Sequence, residues 1–248
     1  MSFHGLPCWY ELATTDTDRA KAFYSHILGW SWTDSGAPGM TYLIAGSGPA
    51  MVAGMMKAEA GQPVAWSIYF AVDDCDAAVA KAEAMGAKVF VPPSDIPGTG
   101  RFAVLADPQC ATFALLQPLP GGTGGAYDAR KQGHGNWHEL VTSDPVAAMA
   151  FYGALFGWTL SRSMEMGPDM TYHLIARDGV DIGGTFTAPG AVPFWKPYFG
   201  VASIQAAVTA TTEAGGAVMQ GPAEVPGGAF ILQIKDPEGV ILALTGPA

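Results

Sequence analysis

Cysteine, charge and long apolar runs are all scarce in this sequence. Its 3 cysteines, Cys8, Cys75 and Cys110, are odd in number and far apart, and they form no C-x-x-C spacing. That excludes a disulfide framework and a zinc knuckle. Charged residues make up only 14% of the chain, and 12 Lys and Arg face 22 Asp and Glu for a net charge of −10. A surface so poor in clustered cations argues against a nucleic-acid partner, while an acidic field favours cationic ligands, or solubility alone. No apolar run approaches the roughly 18 residues of a membrane span. The N-terminal Met-Ser-Phe-His-Gly-Leu-Pro has neither the basic start nor the apolar core of a secretory signal. The reading is a soluble, cytoplasmic chain with no membrane partner. A P-loop, a G-x-S-x-G elbow and a Rossmann fingerprint are also missing.

What is present is a duplication. Residues 9–30, WYELATTDTDRAKAFYSHILGW, align with 137–158, WHELVTSDPVAAMAFYGALFGW. Trp9, Glu11, Phe23, Tyr24, Gly29 and Trp30 recur as Trp137, Glu139, Phe151, Tyr152, Gly157 and Trp158. Thr41-Tyr42, Tyr69-Phe70, Pro97-Gly98 and Asp107-Pro108 then recur in order as Thr171-Tyr172, Tyr198-Phe199, Pro226-Gly227 and Asp236-Pro237. The intervening stretch is rich in Gly and Pro and lacks apolar periodicity, which marks a linker. The expected division is a first domain over 1–118, a linker over 119–135 and a second domain over 136–248.

Each copy repeats one pattern twice. Residues 9–14 alternate as a strand. Asp16 or Asp18 then caps a helix whose Phe23, Tyr24, Ile27 and Leu28 share a face, and Gly29 ends it. The strand-like segments TYLIA and MVAGMM follow. A strand over Trp66–Val72 leads to a helix opened by Asp73 or Asp74 and stopped at Gly86, with further strands near 88–91, 101–106 and 111–116. This predicts an α+β chain of four βαβββ units. One such unit cannot cover both faces of its own sheet, so units pair into curved, mostly antiparallel eight-stranded sheets with helices outside and a central cup.

The motifs W-x-E-L-x-T-x-D…FY…LGW, Y-F-x-V…GA and D-P-x-G/C…A-L resemble the glyoxalase/bleomycin resistance/extradiol dioxygenase (vicinal oxygen chelate) superfamily, in its tandem two-domain form. The resemblance covers nearly all of the chain outside the linker and implies two glyoxalase-like domains, each with a cup that in many members holds a divalent metal. Carried over position by position, the ligand sites fall on Trp9 and Trp137, Ser67 and Lys196, and Ala114 and Ala243, with an additional site used by some members near Gly54 and Gly184. None of these side chains makes a first shell for zinc, iron or magnesium, so the expectation is no metal and no cofactor.

Strand alternation places Trp9 with Glu11, Ser67 with Tyr69, Trp137 with Glu139, and Lys196 with Tyr198 on common faces. These eight residues are the candidate ligand-binding set, an aromatic-walled pocket with few polar groups. Glu11 and Glu139 are the candidate catalytic bases. A purely structural role competes with each: backbone amides or a lysine for the glutamates, mutual neutralisation for Glu139 and Lys196, core packing for Tyr69 and Tyr198. Phe23, Tyr24, Phe151 and Tyr152 are packing residues. His138-Glu139 opens like H-E-x-x-H, but residue 142 is Thr and the segment is a strand, so no zincin helix exists. Asp73, Asp74 and Asp76 sit at the positive end of a helix. Cys110 stands where the second copy has Gly239, which predicts a different turn there.

The functional expectation is a metal-independent small-molecule binding protein of the glyoxalase/bleomycin-resistance type, with a cationic natural product or antibiotic as ligand, acting as monomer or homodimer. The alternatives are a superfamily enzyme (lactoylglutathione-lyase-like lyase, isomerase or dioxygenase) and a non-catalytic interaction protein.

Overall fold

The structure is a computed structural model that describes residues 2–37, 39–121, 125–167, 170–188 and 190–248. The first repeat runs β1 (Pro7–Thr14), α1 (Thr17–Leu28), β2 (Ser31–Asp34), β3 (Tyr42–Ser47), β4 (Ala50–Lys57), β5 (Ala65–Ala71), α2 (Cys75–Ala84), β6 (Lys88–Ile96), β7 (Gly100–Ala106) and β8 (Thr112–Pro118). The second runs β9 (Gly135–Thr142), α3 (Pro145–Phe156), β10 (Thr159–Gly167), β11 (Met170–Arg177), β12 (Val180–Thr187), β13 (Phe194–Gly200), α4 (Ile204–Glu213), β14 (Ala217–Glu224), β15 (Phe230–Lys235) and β16 (Ile241–Gly246). This is βαβββ four times, as the repeat predicts. The strand orders β2-β3-β4-β1-β5-β8-β7-β6 and β10-β11-β12-β9-β13-β16-β15-β14 make two eight-stranded mixed sheets. Strand β2 had no clear signal in the sequence because it is a four-residue edge strand, largely exposed, that exists by pairing with β3.

The helices begin and end on local chemistry. Asp16, Asp74, Asp144 and Ser203 accept from backbone N–H groups in the first turns of α1, α2, α3 and α4, which satisfies donors that a helix start leaves open. Gly29 and Gly157 close α1 and α3 in the left-handed conformation, at φ 68° and 76°, where a Cβ would add strain. Among the described residues, no helix is long and apolar enough to cross a membrane.

Two compact units form from discontinuous segments. One comprises Met1–Cys8, Ile68–Thr123 and His138–Trp195, the other Trp9–Ser67, Gly124–Trp137 and Lys196–Ala248. Each is described by itself.

In the unit containing α1 and α4, Tyr24 is fully buried and stacks on Trp30 at 5.9 Å. Trp66 meets Tyr24 edge-on at 5.3 Å, and Phe199 packs against both Trp30 and Trp66 at 5.1 Å. Such pairs contribute about 0.5–1.5 kcal/mol each beyond the area they bury. A hydrogen-bond chain threads this cluster: Trp66 Nε1 donates to the Tyr24 hydroxyl at 3.0 Å, which donates to Asp236 Oδ2 at 2.9 Å. Asp236 also accepts from the backbone of Glu238 and Val240, closing the Asp-Pro turn. Burial is the largest cause raising both the Asp236 carboxyl and the Tyr24 hydroxyl above their ordinary pKa ranges.

The unit containing α2 and α3 repeats this arrangement with the repeats exchanged. Trp195 Nε1 donates to Tyr152 OH at 2.9 Å, and Tyr152 to Asp107 Oδ2 at 3.0 Å. Tyr152 stacks on Trp158 at 5.5 Å, and Phe70 packs on Trp158 and Trp195 at 5.0 and 5.2 Å. Thus the helix tyrosine of each repeat bonds the Asp-Pro turn of the other.

The turn at Cys110 is not different. Cys110 N donates to Asp107 O at 2.9 Å, as Gly239 N does to Asp236 O, and Cys110 adopts φ 76° against 87° for Gly239. The hydrogen bond overrides the backbone preference of the residue.

Tyr24→Phe leaves Trp66 Nε1 without this acceptor and Asp236 without this donor. The expected loss is about 3 kcal/mol in urea-monitored unfolding, from two desolvated groups at ~1–3 kcal/mol each. Tyr24→Phe combined with Asp236→Asn should cost less than the sum of the single changes; additive losses would contradict a shared chain.

Candidate functional site

On β1, Tyr10 and Leu12 are fully buried while Trp9 and Glu11 are half-buried, so the strand turns the two candidates to a common, more open face. Trp9 Nε1 donates to the Tyr42 hydroxyl at 2.9 Å, and that hydroxyl donates to Glu11 Oε2 at 2.8 Å. Tyr42 opens β3, and Glu11 lies beside Gly54 of β4 in the parallel β1–β4 register. The missing Cβ is essential here, because one on Gly54 would collide with the Tyr42 ring and hydroxyl. Burial first, and the charge of Glu11 second, push the Tyr42 hydroxyl far above the ordinary phenol range, so it stays protonated as a donor to Glu11.

The second repeat builds the same device. Tyr172 OH donates to Glu139 Oε1 at 3.0 Å, Glu139 lies beside Gly184 in the β9–β12 register, and a Cβ on Gly184 would collide with Tyr172. Glu139 is buried, and Tyr172 stacks on Phe186 at 5.9 Å. Trp137 is half-buried on β9, two residues before Glu139. Sequence reasoning used Tyr42 and Tyr172 only as repeat markers and Gly54 and Gly184 only as empty ligand positions. The available signal was that each Tyr recurs with its Gly at one common offset.

Lys196 on β13 is 2% exposed. Its Nζ donates to Gln233 Oε1 at 2.8 Å and lies 5.5 Å from the centre of the Tyr198 ring. Tyr198 is buried and lies beside Ala243 of β16. Tyr69 is buried, lies beside Ala114 of β8 and packs against Phe102 at 6.5 Å. Ser67 is half-buried on β5. The structure therefore joins Trp9 to Glu11 through Tyr42, and Lys196 to Tyr198 beside Gln233.

The donor set does not fit a divalent metal. Indole N–H only donates, Ala and Gly offer no side-chain lone pair, and an ammonium repels a cation. Tyr42 and Tyr172 fill the space over the glycine positions. No group of three His, Cys, Asp or Glu side chains able to hold a metal occurs among the described residues.

His138 is fully buried, with Nδ1 2.8 Å from Ile182 O. A carbonyl only accepts, so Nδ1 carries the proton. Burial lowers its pKa to about 4.

The family described as the Glyoxalase/Bleomycin resistance protein/Dioxygenase superfamily matches residues 8–114 and 134–244. The chain is 35% identical over 252 residues to "Putative glyoxylase CFP32" of Mycobacterium tuberculosis, covering 98% of this chain and 95% of that protein. It is 34% identical over 255 residues to "Anthracycline biosynthesis protein DnrV" of Streptomyces peucetius, covering 95% and 90%. Among solved structures, the Mn(II)-bound glyoxalase from Novosphingobium aromaticivorans superposes with a TM-score of 0.68 at 18% identity, over 98% of this chain and 82% of that one. The homoprotocatechuate 2,3-dioxygenase from Arthrobacter globiformis gives 0.70 at 18%, over 99% and 80%. At such identities the structural likeness establishes the fold alone.

Two outcomes follow from these contacts. Gly54→Ala should displace Tyr42 and lower the thermal midpoint by several degrees, on the order of 2 kcal/mol for an overpacked site; an unchanged midpoint would show that the space over Gly54 is not held by Tyr42. His138 is neutral in both states above its ordinary pKa near 6.5, so it contributes no pH dependence there. As pH falls towards 4, the unfolded chain takes a proton that the folded chain refuses. Stability should therefore drop over this window by an amount on the order of 3 kcal/mol, and His138→Asn should flatten that part of the curve in urea titrations at stepped pH.

Proposed function

The chain belongs to the Glyoxalase/Bleomycin resistance protein/Dioxygenase superfamily, and from that premise we propose that it is a metal-independent binding protein for small aromatic, cationic natural products. The observation that carries this is the Trp9–Tyr42–Glu11 hydrogen-bond chain. It presents an indole, a phenol and a carboxylate on one half-open strand face, and the second repeat preserves its Tyr–Glu–Gly core.

Each part has a binding role. Indole and phenol rings offer π faces to an aromatic ligand and attract a cation placed over them. The carboxylate provides a charged acceptor for an ammonium. Tyr42 uses its own proton to fix the Glu11 rotamer, so little side-chain freedom is lost when a ligand arrives. The net charge of −10 steers cations towards the protein at low salt. A relative named for anthracycline biosynthesis supports an aromatic natural product as the ligand class. A relative named as a glyoxylase supports the rival reading, an enzyme in which Glu11 or Glu139 takes a proton from a bound substrate.

The test is tryptophan fluorescence titration of the full chain with naphthylmethylamine, together with elemental analysis of the purified protein. Binding at substoichiometric metal content is expected. Glu11→Gln should weaken binding about tenfold, as for a lost charge-assisted hydrogen bond, and Tyr42→Phe by a smaller factor. Stoichiometric zinc, iron or manganese, or equal binding by the Glu11→Gln variant, would overturn the proposal.

A further inference from the structure

A cavity of about 390 Å³ lies where the β6–β7 turn meets the end of β8. That is within the size range of small-molecule sites, about 300–1,000 Å³. Ile96 and Pro97 of the turn, with Pro118, Leu119 and Pro120 at the end of β8, give it apolar walls. Backbone hydrogen bonds fix those walls, since Thr99 N donates to Ile96 O at 3.0 Å and Leu119 N to Thr99 O at 2.9 Å. Among the described residues, its polar side chains are one row across three strands. Asp95 of β6 faces Arg101 of β7, and Arg101 faces Gln117 of β8.

The row is tied to the start of α2. Arg101 Nε and Nη2 donate to the two oxygens of Asp76 at 2.6 and 3.0 Å, and Nη1 donates to Asp95 Oδ1 at 2.9 Å. Gln117 Oε1 accepts from Cys75 N at 3.0 Å. Three of the five guanidinium N–H groups are thereby used. The other two, and the Gln117 Nε2 amide, have no protein partner among the described residues. The second repeat shows that the fold does not need this row. There Glu224 faces Phe230 and Phe230 faces Gly246 at the same register. Gln205 stands at the position of Asp76, and the helix start uses a backbone acceptor, with Ile204 N donating to Pro247 O at 2.9 Å. Holding the helix to the sheet thus requires neither a guanidinium nor a side-chain amide.

We propose that this cavity binds a small, neutral, apolar molecule bearing a carbonyl group. The charges select a neutral ligand. An anion would meet Asp76 and Asp95, two carboxylates against one guanidinium, and a cation would meet the guanidinium itself. The groups left over are donors, so they select an acceptor: the carbonyl oxygen receives N–H groups from Arg101 and Gln117. Asp76 and Asp95 hold the guanidinium plane before a ligand arrives, which limits the side-chain freedom lost on binding. Leu119 is 50% exposed, and the apolar body of the ligand covers it together with the neighbouring prolines. Arg101 and Gln117 are the ligand-contacting residues, and Asp76 is a positioning residue. Glu11 plays no part, so this site stands or falls independently of the function proposed above.

The test is equilibrium dialysis of the full chain against 1-acetonaphthone, against 1-ethylnaphthalene, which has the same body without the carbonyl, and against the anion 1-naphthoate. The ketone should bind about tenfold more tightly than the hydrocarbon, as for hydrogen bonds from a charged donor, and more tightly than the carboxylate. Arg101→Phe with Gln117→Gly, which installs the second repeat's residues, should bring the ketone down to the affinity of the hydrocarbon. Arg101→Lys keeps a charge beside Asp76 but not the planar fork, and should narrow the ketone-to-hydrocarbon ratio even if the double variant does not fold. Leu119→Asp, on the exposed wall, should weaken ketone and hydrocarbon alike. Thermal midpoints confirm that each variant is folded. Naphthylmethylamine at saturation should not displace the ketone; displacement would put the ketone at Glu11 and overturn the inference. Equal affinity for ketone and hydrocarbon, tighter binding of naphthoate, an unchanged ratio in the folded Arg101 variants, or unchanged binding by Leu119→Asp also overturns it.

Discussion

The buried Trp–Tyr–Asp chain is the constraint on which each unit depends. A helix carrying a tyrosine could pack its ring almost anywhere apolar, but a buried hydroxyl needs partners. Trp66 supplies the donor and Asp236 the acceptor for Tyr24, and Trp195 and Asp107 do the same for Tyr152. The aspartate in turn organises its own Asp-Pro turn through two backbone amides. The partner aspartate always comes from the other repeat. A second reciprocal contact reinforces this, since Glu238 accepts from Thr14 and Thr15 while Gln109 accepts from Thr142 and Ser143. Tandem repeats of one sequence are thereby committed to exchanging partners, because each repeat's tyrosine finds its carboxylate only in the other.

A related logic governs the candidate site. A metal site needs several lone pairs converging on one point. At the corresponding positions this chain has a donor-only indole, an ammonium, a hydroxyl and residues without side-chain donors of electrons. The glycines are put to use instead, because Gly54 and Gly184 make room for Tyr42 and Tyr172. Each tyrosine then lies where its proton meets a glutamate on the neighbouring strand. A glycine, a tyrosine and a glutamate are thus mutually dependent, and their occurrence in both repeats follows from that dependence.

The two repeats also show how far fold and site can separate. The aromatic cluster, helix caps, Asp-Pro turns and Tyr–Glu–Gly devices recur in both, since all of them determine backbone path or satisfy buried groups. The Lys196–Gln233–Gln220 hydrogen bonds do not recur, since at the offset of 129 the first repeat has Ser67, Val104 and Val91. Even the strained backbone at Cys110 follows the fold rather than the residue, because the turn hydrogen bond outweighs the cost of a left-handed cysteine.

The sequence by itself determined the duplication, the four βαβββ units, the glycine stop at Gly29, and the common face of Trp9 and Glu11; it left the first helix cap between Asp16 and Asp18, and the structure assigns it to Asp16. All of these rest on local chemistry or on periods of two and 3.6 residues, which a chain displays in one dimension. The positions to which the family resemblance assigns metal ligands hold Trp9, Ser67 and Ala114 in one repeat and Trp137, Lys196 and Ala243 in the other. Only the tertiary structure decided that Tyr24 bonds Asp236 and not Asp107, that Tyr42 lies over Gly54 with its proton on Glu11, and that Gln233 holds Lys196. Those pairs are separated by tens to hundreds of residues and are selected by strand order and register. No local propensity encodes either, because both arise when many strands satisfy their hydrogen bonds and bury their apolar faces at once.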